Sequence, residues 1–191
     1  MNRMVLYYVR ALTRNVWWGG LAMDWAFALM MVECGLIIHL LVYSWMTGIT
    51  PVPTGPRVRR AMLDSAPATI QGDILELGAG WGSLAFPLAR RYPHCRVHAY
   101  EYSPIPWLFC LLRQTLRPAP NLSLHRVNFH RASFHGAGLV FCYLCPKGMR
   151  ALAPKMEAEL RAGVLVISNS FDIPGWQPQT VRQATDQFET P

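Results

Sequence analysis

The feature that most constrains this fold is a short apolar run ending in three closely spaced glycines. Residues Asp73 to Leu77 have the composition of a buried strand, and they lead directly into Gly78, Gly80 and Gly82. Glycine lets the backbone turn sharply and approach a ligand closely, and the N-terminus of a following helix offers free backbone N–H groups. The sequence therefore predicts a ligand site where a strand passes into a helix.

The spacing of the glycines distinguishes between two cofactor classes. A dinucleotide site of the form G-x-G-x-x-G needs glycine at position 83, where this chain has Ser83. The observed E-x-G-x-G-x-G, which starts at Glu76, is the spacing of S-adenosylmethionine-dependent methyltransferases. Glu101 follows about twenty residues later, where a carboxylate can accept hydrogen bonds from both ribose hydroxyls. We expect S-adenosyl-L-methionine to contact Glu76, Gly78, Ala79, Gly80, Trp81, Gly82 and Glu101, with Tyr102 beside the adenine.

Apolar runs alternate with helical patterns throughout the remainder of the chain, which predicts an α/β fold with a parallel, Rossmann-like sheet and helices on both faces. We expect strands near residues 73–77, 96–100, 122–127, 138–144 and 163–168, and helices near 56–66, 83–91, 104–116 and 147–161. Few residues follow Ser170, so we also expect the terminal strand of such a core to be missing.

The N-terminal part of the chain is typical of a membrane-associated segment. Residues 25–46 are almost wholly apolar and about long enough to cross a hydrocarbon core of roughly 30 Å. Glu33 and His39 interrupt the run, which leaves open a helix buried against the catalytic domain or against a second copy of the chain. We therefore predict a membrane-anchor region over 1–48, with a homo-oligomer through these helices as one arrangement, and a methyltransferase domain over 49–191.

A basic amphipathic helix is predicted before this anchor. On a helical wheel Val5, Val9, Leu12 and Val16 share one side, and Arg3, Arg10 and Arg14 cluster on the other. Such a helix lies in a lipid headgroup layer, although an ordinary surface helix remains the alternative. The formal charge of +7 is then explained by lipid rather than by nucleic acid, for which no binding motif is present. Because S-adenosylmethionine is made in the cytosol, we expect the catalytic domain on the cytoplasmic side of a single-pass or monotopic protein.

The cysteines and histidines give no metal or disulfide pattern. Five cysteines are an odd number scattered through apolar segments, and Cys142-Tyr-Leu-Cys145 has no second pair to complete a zinc site. We expect buried structural thiols and no metal. Asn128 follows the third predicted strand, where it would either contact the adenine or act as a turn residue.

The elements Val52-Pro-Thr54, the glycine loop, Glu101-Tyr-Ser-Pro104, Tyr143-Leu-Cys-Pro146 and Ser168-Asn-Ser-Phe-Asp-Ile-Pro-Gly-Trp176 together resemble a known family. It comprises the membrane-anchored protein-lysine methyltransferases of the ATP synthase c subunit and the adenine nucleotide translocase, with their prokaryotic relatives. The resemblance implies a class I methyltransferase in which Thr54 closes over the methionine end of the cofactor. Capping of the helix near Pro56 is the alternative role for Thr54.

The resemblance also places the methyl acceptor at the tip of the fourth strand. It implies that the segment from Tyr143 to Pro146 receives the acceptor. We expect the wall around the acceptor amine to be formed by Tyr143, Asn169, Phe171 and Trp176, whereas ordinary strand-end packing is the competing interpretation. Leu144-Cys145-Pro146 replaces the acidic or Asn-Pro-Pro-aromatic motif of many amine methyltransferases, so the acceptor is left open. We expect lysine methylation of a membrane protein, with a phospholipid headgroup or small hydrophobic amine as the rival acceptor and a catalytically inactive cofactor-binding module as a third possibility.

Overall fold

The computed structural model describes residues 24–45 and 54–183 of the chain. The chain divides into two compact units between Val42 and Tyr43. The predicted basic amphipathic helix falls outside the described residues, so it stays a prediction. The two units are therefore described separately.

The first described element is the apolar helix α1, Asp24–Trp45. Its most apolar stretch has a mean hydropathy of 2.1, and none of that stretch is buried. Within the described ranges it is the one helix long and apolar enough to cross a membrane. The predicted apolar helix over residues 25–46 is therefore present, and it differs from the prediction by one residue at each end.

The second unit contains a five-stranded, wholly parallel sheet in the order β3-β2-β1-β4-β5. Its strands are β1 (Asp73–Leu77), β2 (Val97–Tyr100), β3 (Leu122–His125), β4 (Ala137–Cys142) and β5 (Leu165–Ser168). Its helices are α2 (Pro56–Ser65), α3 (Ala85–Arg91), α4 (Pro104–Leu116) and α5 (Pro146–Glu159), with a 3₁₀ turn at Phe129–Arg131. The expected α/β class is confirmed.

Two apolar clusters lie on opposite faces of the sheet, because neighbouring side chains along a strand point to opposite sides. Ile74 packs in the cluster that contains residues of α2, α3 and α4, and Leu75 packs in the cluster that contains residues of α5. A parallel strand that is covered on both faces consists almost entirely of apolar residues. Strand β4 is such a strand, since it is buried along almost its whole length. The prediction of helices on both faces is confirmed.

Proline marks the start of three helices in this unit. Pro56, Pro104 and Pro146 occupy first-turn positions of α2, α4 and α5, where the missing N–H costs nothing. Helix α4 follows β2 and helix α5 follows β4. The proline at the start of each of these two helices therefore marks where the chain has left the sheet. The strand order places β1 between β2 and β4. From β1 the chain adds β2 and β3 on one side of the sheet, and it then crosses back to add β4 and β5 on the other side. Ligands of open α/β sheets bind at the carboxyl ends of the strands at such a point.

Candidate active site

The glycine loop occupies the carboxyl end of β1. Gly78, Gly80 and Gly82 all have positive φ, at 84°, 52° and 69°. A Cβ on Gly82 would lie 2.9 Å from the Cys110 sulfur and 2.9 Å from the Phe86 ring, so a side chain here would collide with the core. Gly80 differs, because a Cβ there would meet no protein atom within 4 Å. Gly82 is thus required for packing, whereas Gly80 faces open space.

Glu101, which directly follows β2, is held against this loop by two backbone donors. The Gly80 N–H donates to its Oε2 over 2.6 Å, and the Ser103 N–H donates to its Oε1 over 2.7 Å. Ser103 is buried and is the N-cap of α4. The predicted pairing of the glycine loop with Glu101 is therefore present in the geometry, and both carboxylate oxygens keep further lone pairs for a ligand.

Glu76 is a buried carboxyl group on β1, with only 5% of its surface exposed. Burial, with a smaller contribution from the charge of Glu101, raises its pKa from 4.5 to about 8. Its Oε2 atom has no hydrogen-bond partner among the described residues. The same two carboxyl groups contribute to raising the pKa of the neighbouring Cys110 thiol to about 12, although burial is the main cause. A buried acid that lacks a partner within a negative region is suited to a positively charged ligand.

One cleft lies over the carboxyl ends of β1 and β4. It is lined by Thr54, Met62, Glu76, Leu77, Gly78, Leu84, Phe141, Cys142 and Tyr143. Thr54, predicted for the methionine end of the cofactor, and Glu76, predicted as a cofactor contact, therefore share it with Tyr143 from the predicted acceptor side. The capping alternative for Thr54 does not hold, since the N-cap of α2 is Gly55 and no side chain caps that helix.

The remaining predicted cofactor contacts have local roles in the fold. Ala79 is buried, and its N–H donates to the Tyr100 carbonyl over 3.0 Å. Trp81 packs edge-on against Phe109 with the ring centroids 5.4 Å apart. Tyr102 is 42% exposed at the start of α4. These positions leave contact with the adenine a prediction.

Asn128 caps the 3₁₀ turn, because its side-chain oxygen accepts a hydrogen bond from the His130 N–H over 3.0 Å. That is the turn role given as the alternative to adenine contact. The capping bond engages one oxygen and leaves the amide N–H₂ group of Asn128 for other partners. Both roles are therefore compatible with this geometry.

The predicted acceptor residues lie at the ends of β4 and β5 with differing exposure. The Asn169 N–H donates to the Cys142 carbonyl over 3.0 Å, which places Asn169 beside the cleft. Pro146 is exposed at the first turn of α5. Trp176 is partly buried against the apolar cluster of α5, and its ring N–H donates to Glu157 over 3.0 Å. The structure thus brings Tyr143 to the cleft and holds the backbone of Asn169 next to it, while Trp176 packs against α5.

Several cleft residues were not predicted from the sequence. Met62, Leu84, Phe141 and Cys142 supply apolar walls, and the Ser103 N–H holds Glu101. Phe141 and Cys142 had a usable signal, since they lie near the carboxyl end of the predicted fourth strand. Met62 and Leu84 lie within helical patterns in which nothing marks one apolar residue as facing a ligand. All five cysteines are free, and no group of three His, Cys, Asp or Glu within residues 24–45 and 54–183 could hold a metal ion.

These features fit S-adenosylmethionine, which carries a positive sulfonium and an α-ammonium group. Glu76 offers the cofactor a buried carboxylate oxygen without a partner, Glu101 offers hydrogen-bond acceptors, and the space beside Gly80 is open. The apolar walls of the cleft suit the methylene groups of a methionine chain.

Comparisons with known proteins agree with this geometry. The family of ANTKMT methyltransferase domains matches residues 76–180. A protein-lysine N-methyltransferase of Saccharolobus islandicus is 26% identical over 149 residues, which are 75% of this chain and 89% of that protein. The adenine nucleotide translocase lysine N-methyltransferase of Mus musculus is 32% identical over 120 residues, which are 61% of this chain and 51% of that protein. The chain thus spans about half the length of the mouse relative.

Solved structures share the fold. An RNA methyltransferase from Salinibacter ruber in complex with S-adenosyl-L-homocysteine has a TM-score of 0.63 at 25% identity, covering 69% of this chain and 86% of that one. A precorrin-6Y C5,15-methyltransferase from Geobacter metallireducens has a TM-score of 0.52 at 18% identity, over 58% and 59% of the two chains. The glycine loop, the two carboxyl groups and the family match all support an active methyltransferase. The chain belongs to the ANTKMT methyltransferase domain family and is an S-adenosylmethionine-dependent methyltransferase.

Proposed function

We propose that this chain is a membrane-anchored protein-lysine N-methyltransferase that modifies a lysine of a membrane protein close to the bilayer. The two relatives named as lysine methyltransferases support the acceptor class. The observation that carries the membrane part of the proposal is α1, an apolar helix of 22 residues with none of its most apolar stretch buried. A helix of this length and apolar composition whose most apolar stretch is unburied is suited to lipid.

The cofactor supplies a methyl group on a positively charged sulfur, and the protein supplies position and environment. Glu76 and Glu101 bind the charged and hydroxyl groups of the cofactor, and Thr54 lies over the same cleft. Tyr143, half-buried at the end of β4, orients the acceptor toward that cleft. Holding two reactants in a reactive geometry accounts for a large part of the barrier reduction in such a transfer.

An acceptor lysine must lose its proton before it can attack the methyl group. The residues that line the cleft include no histidine and no acid other than Glu76. Apolar walls such as Phe141 and Leu84 disfavour a charged ammonium and so lower the pKa of a lysine brought against them. In this proposal the proton leaves to solvent as the amine is desolvated on entering the cleft, so the amine is neutral when it meets the methyl group.

The anchor confines the enzyme to acceptors near the membrane surface. Because the cofactor is made in the cytosol, the catalytic unit faces the cytoplasm in this proposal. Confinement of enzyme and substrate to one membrane raises their effective concentration without any new contact. A lysine just outside a transmembrane helix is the acceptor that such an enzyme would reach.

The test uses the full chain in native membranes, supplied with S-adenosylmethionine carrying a radioactive methyl group. Organic extraction separates lipid from protein, and mass spectrometry then locates the methylated residue. The proposal predicts label on lysine in a membrane protein, absent with Glu101→Ala. Label in the lipid or small-molecule fraction would instead establish the rival acceptor, a phospholipid headgroup or a small hydrophobic amine.

A further inference from the structure

Helix α4 exposes a continuous apolar stripe. Leu108, Phe109, Leu112 and Leu116 are 54%, 45%, 58% and 73% exposed. At 100° per residue these four positions fall within roughly 100° of the helix circumference, so they form one face. Exposed apolar patches of this kind mark surfaces that meet another molecule or a membrane.

The opposite face of α4 is fixed to the domain, so the stripe cannot rotate inward. Cys110 is buried in the core. The Arg113 side chain donates to the Gly82 carbonyl over 3.2 Å, and the Gln114 amide donates to the carbonyls of Ala119 and Leu122. The apolar stripe is therefore a permanent feature of the surface.

Positive charge lies at the C-terminal end of the stripe, where the exposed Arg117 directly follows Leu116. The guanidinium groups of Arg90, Arg117 and Arg59 lie close enough to Arg113 that they add to the effect of burial in lowering the pKa of Arg113. Arg90 and Arg117 are exposed. Between Glu101 and Glu157 the sequence contains no acidic residue, while arginines and lysines are spread through it. An apolar stripe bordered by unneutralised arginines complements an anionic lipid surface.

We propose that the stripe of α4 and its bordering arginines form a docking surface for the headgroup layer of an anionic phospholipid bilayer. This inference rests on the proposed membrane location. The division between the two units falls within α1, between Val42 and Tyr43, so an anchored α1 is followed directly by the catalytic unit. A unit tethered so closely to a bilayer encounters its surface continually, which favours lipid over a soluble partner.

Docking on this surface would also orient the active site. The N-cap of α4 is Ser103, whose N–H holds the Glu101 carboxylate. The helix is 13 residues long and therefore spans about 20 Å, so the cofactor site lies near the docking surface. Docking would thus present the cleft to acceptors that project only a short distance from the bilayer.

The test measures the depth of a fluorophore in vesicles reconstituted with the full chain. Cys34→Ala and Cys95→Ala remove the accessible thiols, and Leu112→Cys receives an environment-sensitive label. Ala151→Cys, exposed on α5, is the matched control. Vesicles contain phosphatidylcholine with or without phosphatidylserine, and a fraction of the lipid carries a quenching spin label. Cofactor binding by each labelled variant verifies that it is folded.

We expect lipid quenching at position 112 to exceed that at position 151 by about threefold or more in anionic vesicles. In anionic vesicles, Arg90→Gln and Arg117→Gln should each reduce the ratio of docked to undocked protein by about fivefold. In vesicles without phosphatidylserine they should leave this ratio unchanged. Equal quenching at the two positions would overturn the proposal. A second result would also overturn it. If lipid does not quench position 112, but position 112 is protected from an aqueous quencher and this protection increases with protein concentration, then a second copy of the chain covers the stripe.

The two proposals can fail separately. If lysine methylation in membranes persists while position 112 shows no lipid quenching, docking through α4 is wrong and the proposed function stands. If position 112 is quenched by lipid but the methyl label appears in lipid, the docking surface is real and the acceptor is different.

Discussion

The carboxyl ends of β1 and β2 and those of β4 and β5 lie along one edge of the sheet, but the two halves of that edge are built differently. In the first half, backbone N–H groups hold Glu101, and Glu76 is buried without a partner for one oxygen. In the second half, Tyr143 and Asn169 are only partly buried, and Trp176 is engaged by Glu157. The first half is a charged, preformed site, and the second is open and uncharged.

This difference indicates that the first half binds the cofactor tightly, whereas the second half binds the acceptor weakly. A buried, preorganised site binds its ligand without further ordering, which suits a cofactor common to many methyltransferases. An open site with few fixed polar groups supplies little affinity by itself. The acceptor must then be brought by other means, and a membrane that confines both molecules is one such means.

Removal of Glu101 should produce the largest effect, because it deletes both a ligand group and the acceptor of the Gly80 and Ser103 N–H groups. We expect Glu101→Ala to weaken cofactor binding by about 100-fold or more, since charge-assisted hydrogen bonds are lost. Isothermal calorimetry measures this directly. Asp64→Asn, which changes an exposed acid on α2, is the matched control and should bind normally. A dissociation constant for Glu101→Ala within threefold of the parent value would show that the first half is misassigned.

Glu76 should make cofactor affinity depend on pH. In the free protein its pKa is about 8, so it is protonated at neutral pH, and a cationic ligand favours its ionised form. Binding then releases a proton, and affinity should rise with pH by up to about tenfold per unit. Titrations between about pH 6 and pH 7 keep the cofactor's own amine largely protonated. Glu76→Gln should bind more weakly and remove this dependence; a pH dependence unchanged in Glu76→Gln would contradict the assignment.

The same group affects the stability of the cofactor-free protein. Between about pH 4.5 and pH 8 the folded state keeps a proton on Glu76 that the unfolded state has lost. The free energy of unfolding should therefore fall as pH rises through this window, by up to about 1.4 kcal/mol per unit. Denaturant titrations of Glu76→Gln, which cannot ionise at this position, should show a smaller slope.

Tyr143 tests the second half. We expect Tyr143→Ala to lower the methylation rate by about tenfold, because the acceptor loses a surface that orients it. Its cofactor affinity should stay within about threefold of the parent, since the charged groups of the first half are intact. Comparison of the rate at saturating cofactor with the cofactor dissociation constant separates the two effects. A variant that loses both in parallel would show that the halves are not independent.

The smallest effect is expected at Asn128, whose side chain caps a 3₁₀ turn. Asn128→Ala should lower the free energy of unfolding by about 1 kcal/mol, as loss of a cap does, and change cofactor affinity less than about threefold. Asn128→Asp keeps the capping oxygen but removes the amide N–H₂ group. If Asn128→Asp binds the cofactor much more weakly while remaining stable, then contact with the adenine is the main role of Asn128.

Much of the fold could be predicted, because glycine and proline mark the ends of its elements. The strand at Asp73–Leu77 and the helix at Pro104–Leu116 have the predicted bounds. The fourth strand was expected to reach residue 144, but it ends at Cys142. The turn into α5 is capped by the sulfur of Cys145, which accepts from the Gly148 N–H, and the chain must leave the sheet before that turn. The sequence alone does not indicate that a cysteine will cap a helix, so the end of this strand could not be predicted.

The charged half of the site was more predictable than the open half. A glycine loop and an acid at a set interval are local features of the sequence, and they identify Gly80 and Glu101 directly. The partner of Trp176 is Glu157, on a different element, and nothing local in the sequence pairs them. The roles of residues that depend on such long-range packing could be assigned only from the structure.

The central claim is that the glycine loop binds the cofactor independently of the acceptor side, and one calorimetric comparison tests it. Gly80→Arg strains a backbone with a φ of 52°, at a cost of about 1–2 kcal/mol, but its Cβ meets no protein atom, so the variant should still fold while its side chain fills the open space beside the loop. Thermal unfolding of the variant checks the fold. We expect the parent and Tyr143→Ala to bind S-adenosylmethionine with similar affinity, while folded Gly80→Arg does not bind it. Binding by Gly80→Arg as tight as by the parent would contradict the account.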